Sequence, residues 1–459
     1  MTLAMVRRKT ERIREFSAFP FLLLAGISLL AAFVRPAAQR VTGGPVNPGD
    51  VAWMLTATGL VLLMTQGLSF FYGGMVRSKN VVSTMLQSFV AMAAISILWV
   101  VVGFSLAFGD SLHGIIGNPA TYFMFSGVGT ATHPGLAPTI PLIVFALFQL
   151  KFAIITPALI TGSFAERVRF TSYLLFICLF SLFIYAPLAH WTWHPDGFLH
   201  RLGVLDFAGG TVVHINAGIA ALAVVLVIGR RRGWPHTPMP PHSLALTMIG
   251  TGILWFGWFG FNAGSALRAD GLAVQALVNT HMAAAAAMLG WVLAERIHAG
   301  RPTTLGAASG AVAGLVAITP CAGFVGGMSP IAIGAIAGVV CYAAVNIKFK
   351  LHFDDALDVV GVHLVGGVVG SLLLGFFADR AVNGAGRDGV FLHGGGFGLF
   401  GDQVVAVVAT LVYSFVVSFA IAWVLDKVIP GGLRVDEEAE DTGLDLREHS
   451  EVAYSFAER

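Results

Sequence analysis

Residues 206–218 read Asp206-Phe207-Ala208-Gly209-Gly210-Thr211-Val212-Val213-His214-Ile215-Asn216-Ala217-Gly218, and residues 355–367 read Asp355-Ala356-Leu357-Asp358-Val359-Val360-Gly361-Val362-His363-Leu364-Val365-Gly366-Gly367. In each stretch an aspartate opens a long apolar run, a histidine follows eight residues later, and a glycine four residues after that. At the helical rise, eight residues carry each imidazole about 12 Å inward from its own end. With an odd number of spans per copy, the second copy runs upside down, as in the inverted repeats of transporters. Entering from opposite sides of a hydrocarbon core ~30 Å thick, the two rings reach the same depth near the middle.

The runs on either side fit that reading. The chain has 459 residues, 56% hydrophobic and 11% charged, with a mean hydropathy of +0.80, whereas soluble domains carry about 25% charged residues. An ordinary soluble enzyme is excluded. A net charge of +2 is too balanced to point to nucleic acid. Cys178, Cys321 and Cys341 are odd in number and widely spaced, which indicates neither a disulfide framework nor a metal knuckle.

Stretches free of Asp, Glu, Lys and Arg, with 302–347 divided by Pro320, Gly323 and Pro330, give eleven spans. The expected fold is an all-α polytopic membrane protein. Five helices lie in about 50–229, five in the inverted copy at 234–378, and a final one at 403–429. Basic residues set the direction. With the first span running inward, the inner side holds Arg77, Lys79, Arg167, Arg169, Arg230, Arg231, Arg232, Arg296, Arg301, Lys348, Lys350 and Lys427; the outer loops hold only Arg201, Arg268, Arg380 and Arg387. The amino end is therefore expected outside and the carboxyl tail in the cytoplasm, in the inner membrane.

Residues 1–40 place Arg7, Arg8, Lys9, Arg12 and Arg14 before an uncharged stretch from Phe16 to Val34, which reads as a secretory signal or an extra uncleaved helix. Residues 430–459 carry nine Asp or Glu and form a cytoplasmic tail, too polar to be embedded. His393-Gly394-Gly395-Gly396 resembles an esterase oxyanion segment, but no G-x-S-x-G accompanies it and a flexible outer loop is the reading.

Ionisable side chains at mid-membrane depth are costly and are functional candidates by default. One histidine there usually packs against a neighbour's carbonyl; a symmetric pair points to function. Haem ligation by the pair is a second chemistry, with neither another histidine pair nor C-x-x-C-H to support it. Phe148 and Phe152 share a face of the third span, as do Phe261 and Ser265 near the outer end of the sixth, with Trp193 beyond the fourth. Ring faces attract a small cation and a hydroxyl oxygen accepts its hydrogen bond, although interfacial aromatics commonly serve as anchoring belts.

These residues carry a resemblance. Phe71-Tyr72-Gly73-Gly74, Ala165-Glu166-Arg167, Asp206 to Asn216, Gly257-Trp258-Phe259-Gly260-Phe261-Asn262-Ala263-Gly264-Ser265 and Asp358-Val359-Val360-Gly361-Val362-His363 resemble the ammonium transporter (Amt/Mep/Rh) family, bacterial Amt type, from about Asp50 to the end. The resemblance implies transmembrane ammonium/ammonia transport by a non-enzyme, with NH4+/NH3 as substrate and methylammonium as analogue. It implies an outer recruitment site of Phe148, Trp193 and Ser265, a gate of Phe152 and Phe261, and a pore lined by His214 and His363. Asp206, Asp358 and Thr319 would give structural support. The implied assembly is a homotrimer, with a possible PII-type signalling protein at the inner face through Gly431 to Val435 and Gly443-Leu444-Asp445. No cofactor and no metal are implied. An ammonium sensor with little net transport, or a neutral gas (NH3/CO2) channel, are the alternatives. Lys151 departs from the family pattern, and so do His194, Asp196 and His200; the His190/His194 spacing could suit a metal, but Pro195 follows and a loop is the plainer reading.

Overall fold

The computed structural model describes residues 18–455. Unpaired backbone groups are not tolerated in hydrocarbon, so a chain this apolar crosses a bilayer as helices. In order these are α1 (Pro48–Met75), α2 (Ser78–Phe108), α3 (Leu142–Phe164), α4 (Phe170–Leu202), α5 (Gly210–Ile228), α6 (Leu244–Gly264), α7 (Gly271–Ala299), α8 (Thr304–Ile318), α9 (Ser329–Leu351), α10 (Val360–Phe377) and α11 (Phe397–Val428). Ten have 18 or more residues, enough for the hydrocarbon thickness; α8 has 15 and is prolonged by buried turns over 319–325. The eleven helices follow the apolar runs of the sequence, with the division at Pro320 and Pro330; the last begins at Phe397, ahead of the expected 403.

The two copies, α1–α5 and α6–α10, share a feature that hydropathy does not encode. Both α5 and α10 begin on a π-helical turn, Gly210–Ile215 and Val360–Leu364, and each turn carries its motif histidine. Such turns insert an extra residue per turn and re-aim a side chain. The motif glycines then let the two helices approach. A Cβ on Gly218 would lie 2.4 Å from the Leu364 nitrogen, and one on Gly367 would lie 2.9 Å from the Ile215 side chain. Only hydrogen fits at these crossings, which is how His214 and His363 come within reach of each other.

One end of the bundle is held by buried charges. The Asp354 carboxylate takes Arg167 at 2.5 Å and Arg231 at 2.9 Å, while Glu166 takes Arg77 at 2.6 Å and Arg231 at 3.4 Å. These residues come from four loops, so the network ties the ends of α1, α3, α5 and α9 together. The charge rule expects this end inside, so it is termed the inner end and the opposite one the outer end.

The acidic tail is docked against the inner end. The Val435 N–H donates to Arg167 O at 3.0 Å, Asp445 accepts from the Val82 and Ser83 N–H groups at 3.0 and 2.8 Å, and Arg232 pairs with Glu437 at 2.7 Å. At the amino end the basic cluster Arg7 to Arg14 lies outside the described residues. Ala18–Ala31 is a short apolar helix. The irregular segment after it is pinned to the outer loop between α2 and α3, with Gly43 N–H on Thr132 O at 3.0 Å and Asn47 N–H on Thr139 O at 2.8 Å.

Candidate functional site

His214 and His363 meet in the middle of the bundle. Their Nδ1 atoms are 3.3 Å apart, the ring centroids 5.4 Å apart, and the planes differ by 16°. Both are buried, at 1% and 3% exposure. They line a cavity with Leu68, Ile155, Val213, Leu254 and Phe261, among other apolar side chains. Trp258 also lines it, but its N–H is committed to Thr319 Oγ1 at 2.9 Å, and its ring stacks 5.4 Å from His214. Thr319 thus braces the wall that holds His214. The His214 Nε2 has no protein partner.

Above the histidines, Phe152 and Phe261 stack with centroids 4.2 Å apart and planes 26° apart. Phe261 lines the histidine cavity and Phe152 lines a second, outer cavity, so the ring pair is the partition between them. The outer cavity, about 550 Å³ including space open to solvent, is lined by Trp193, Ser265, Phe207, Phe145 and Gln149 as well as Phe152. The Ser265 hydroxyl donates to Phe261 O at 2.9 Å, which leaves its lone pairs for an incoming donor. The Trp193 N–H is held by Asp206 O at 3.0 Å, and its ring meets Phe152 edge-on at 5.7 Å.

Asp206 connects the two cavities. Its Oδ1 accepts the Gly209 and Gly210 N–H groups, both at 2.7 Å, and its Oδ2 accepts the Thr211 N–H at 2.8 Å together with the Thr211 hydroxyl. Orphan donors at the start of α5 are thereby satisfied, and Gly209 supplies the left-handed φ of +115° that the turn requires. In the inverted copy the same duty falls to Asp355, which accepts the Val360 N–H at 2.7 Å, the same five-residue offset as Asp206 to Thr211. Asp358, assigned that support from the resemblance, instead pairs with Lys348 at 2.5 Å. It sits at φ +62°, outside the cap. The difference lies in the partner: the Asp358 carboxylate is engaged by Lys348, while the Asp355 carboxylate takes the N–H at the helix start.

The sequence placed Phe148 at the mouth, and here the structure differs. Phe148 is fully buried behind Phe152, with centroids 4.9 Å apart, and does not line the outer cavity. The cavity-facing stripe of α3 is Phe145, Gln149 and Phe152. Their spacing of four and three was visible in the sequence, but the rotation of a helix that is apolar all round was not. Lys151 is 8% exposed and lines neither cavity. His190 uses both ring nitrogens inside the protein, with Ala107 O at 3.0 Å and Ser111 Oγ at 2.8 Å, and stacks on His194 at 4.5 Å. Among the described residues no group of three or more His, Cys, Asp or Glu is arranged to hold a metal.

The family profile described as Ammonium Transporter Family matches residues 52–454. The chain is 50% identical over 439 residues to an ammonium transporter of Mycobacterium tuberculosis, covering 90% of this chain and 92% of that one. It is 48% identical over 408 residues to an ammonium transporter of Bacillus subtilis, covering 88% and 98%. Among solved structures, Saccharomyces cerevisiae Mep2 superposes with a TM-score of 0.79 at 33% identity, covering 86% of this chain and 88% of that one. A protein titled Sensor Amt Protein superposes with the same TM-score at 32% identity, covering 87% and 98%.

Proposed function

Because the chain belongs to the ammonium transporter family and serves ammonium transport, we propose that ammonium is recruited in the outer cavity by Trp193 and Ser265, loses its proton at the Phe152/Phe261 partition, and crosses the histidine cavity as ammonia. The observation that carries this reading is the stacked ring pair closing a polar-edged outer cavity from an apolar one that holds the two imidazoles, with the His214 Nε2 unpartnered.

The physical case rests on what separates ammonium from potassium. The two ions match in size and charge, but only ammonium donates directional hydrogen bonds and can give up a proton. Moving a bare cation into a low-dielectric medium costs on the order of 20 kcal/mol by Born estimates, and ammonia avoids most of it. Apolar walls lacking carbonyl rings offer a desolvated cation no compensation. The histidine pair suits the neutral molecule. Two Nδ1 atoms 3.3 Å apart can share only one proton, so one ring donates and the other accepts. The donor ring then keeps a bare Nε2 and the acceptor ring an Nε2–H. The pore thus offers ammonia one acceptor and one donor.

Phe148 acts in this scheme by backing Phe152, and Asp206, Asp355, Thr319 and Asp358 hold the walls. We assign the protein to the inner membrane, with residues 1–40 as a signal or extra helix on the outside-facing end and the docked tail 430–459 in the cytoplasm. There it would carry the contact with a PII-type regulator in a homotrimer. Relatives are named transporters, and no catalytic residue is assigned. Proteoliposomes bearing an ammonium gradient, with potassium as comparison, test the scheme. Ammonium-driven flux with none for potassium is expected, and equal potassium conduction would end it. Intact binding without flux would favour the sensor, and ammonia flux without current would favour the gas channel.

A further inference from the structure

Gln149 plays no part in the scheme above, yet it sits where the cation is recruited. It lies between Phe145 and Phe152 on the cavity-facing stripe of α3, and it lines the outer cavity together with Trp193, Phe207 and Ser265. It is 8% exposed, and its amide oxygen has no hydrogen-bond partner in the protein. A buried carbonyl left unpaired is costly, and native structures keep such groups where a ligand or water completes them.

We propose that the Gln149 amide oxygen is a second oxygen ligand of the ammonium ion in the outer cavity, beside the Ser265 hydroxyl. This rests on the recruitment reading given above. The chemistry is complementary. Ammonium has four N–H donors in tetrahedral directions. The Ser265 oxygen has spent its own hydrogen on Phe261 O and can only accept. The Trp193 N–H is occupied by Asp206 O, so its ring offers the cation its face. Among the side chains that line the cavity only Ser265 and Gln149 carry an oxygen, and the terminal amide torsion is broad enough to present that of Gln149. A methylated ammonium keeps three donors, enough for both oxygens, so Gln149 sets the affinity for either cation.

The test is the concentration dependence of uptake of ammonium and of methylammonium by the full chain in proteoliposomes, corrected for the amount of inserted protein. Gln149→Met, close in shape and without the carbonyl, is expected to raise the half-saturating ammonium concentration roughly tenfold, as for a hydrogen bond to a charged group. The maximal rate should stay within twofold, and methylammonium should shift in the same direction. Gln149→Glu is expected to lower the half-saturating concentration and to make potassium a competitive inhibitor, because a full negative charge attracts any cation. Unchanged half-saturation in Gln149→Met, or a fall in maximal rate alone, overturns the proposal. Trp193→Leu separates the two levels of the reasoning. If it raises half-saturation while Gln149→Met does not, only the Gln149 assignment fails; if neither does, the recruitment reading fails with it.

Discussion

Asp206→Asn is the substitution whose effect can be worked most directly from the structure. The carboxylate receives four donors on two oxygens: the Gly209 and Gly210 N–H groups at 2.7 Å on Oδ1, and the Thr211 N–H at 2.8 Å with the Thr211 hydroxyl on Oδ2. Asparagine keeps the shape but turns one oxygen into an NH2 that faces two donors. Two hydrogen bonds to a charged group are lost, each worth about 1.5–3 kcal/mol, so the first turn of α5 is weakened by about 3–6 kcal/mol. That turn carries His214, whose N–H bonds to Gly209 O at 3.1 Å, and Asp206 O also holds the Trp193 indole. Both cavities should suffer together. Methylammonium uptake into proteoliposomes is expected to show a raised half-saturating concentration and a maximal rate lowered at least tenfold. The equivalent Asp355→Asn touches one N–H bond and should cost less. Wild-type values for both parameters in Asp206→Asn would refute the idea that one carboxylate organises recruitment and pore.

Two further outcomes are expected. His214→Leu and His363→Leu should each lower ammonium flux by about tenfold, since either change breaks the shared Nδ1 proton and removes one of the paired donor and acceptor sites, a hydrogen bond of about 1–1.5 kcal/mol; wild-type flux in either variant counts against the pore. At Asp354, outside the spans, burial alone would push the carboxyl up, but Arg231 and Arg167 hold it down at about 2. Its folded value lies below the usual 3.8, so its contribution, about 2 kcal/mol, is full above pH 4 and is lost as pH falls from about 4 through 2. Thermal unfolding of the purified protein should show that acid decline. Asp354→Asn, which leaves the buried Arg167 guanidinium without a carboxylate and Arg231 with Glu166 alone, at a cost of about 3–5 kcal/mol, should be weaker at pH 7 and decline less on acidification. Identical acid profiles would contradict the network.

The number of spans and their order were legible from residues alone, because a bilayer dictates both the length of each apolar run and the helical pairing of its backbone. The spacing of Asp206 to His214 and of Asp355 to His363 carried the inverted repeat and the matched depth of the rings, since a helix converts residue count directly into distance. The roles of Trp193, Ser265, Phe152 and Phe261 came from the family pattern, which geometry then arranged in contact. What stayed hidden depends on neighbours. A helix such as α3, apolar on every side, has no polar stripe to fix its rotation, so only packing decided that Gln149 faces the cavity and Phe148 the core. The π-helical turns at His214 and His363 arise where α5 and α10 cross at Gly218 and Gly367, a contact between segments 149 residues apart. The tail reads as a solvated acidic segment because its partners, Arg232, Arg167 and the N–H groups of Val82 and Ser83 in the first turns of α2, lie hundreds of residues upstream. Local periodicity fixes which stretches are helices and how deep a residue sits; which way it faces is a property of the assembled bundle.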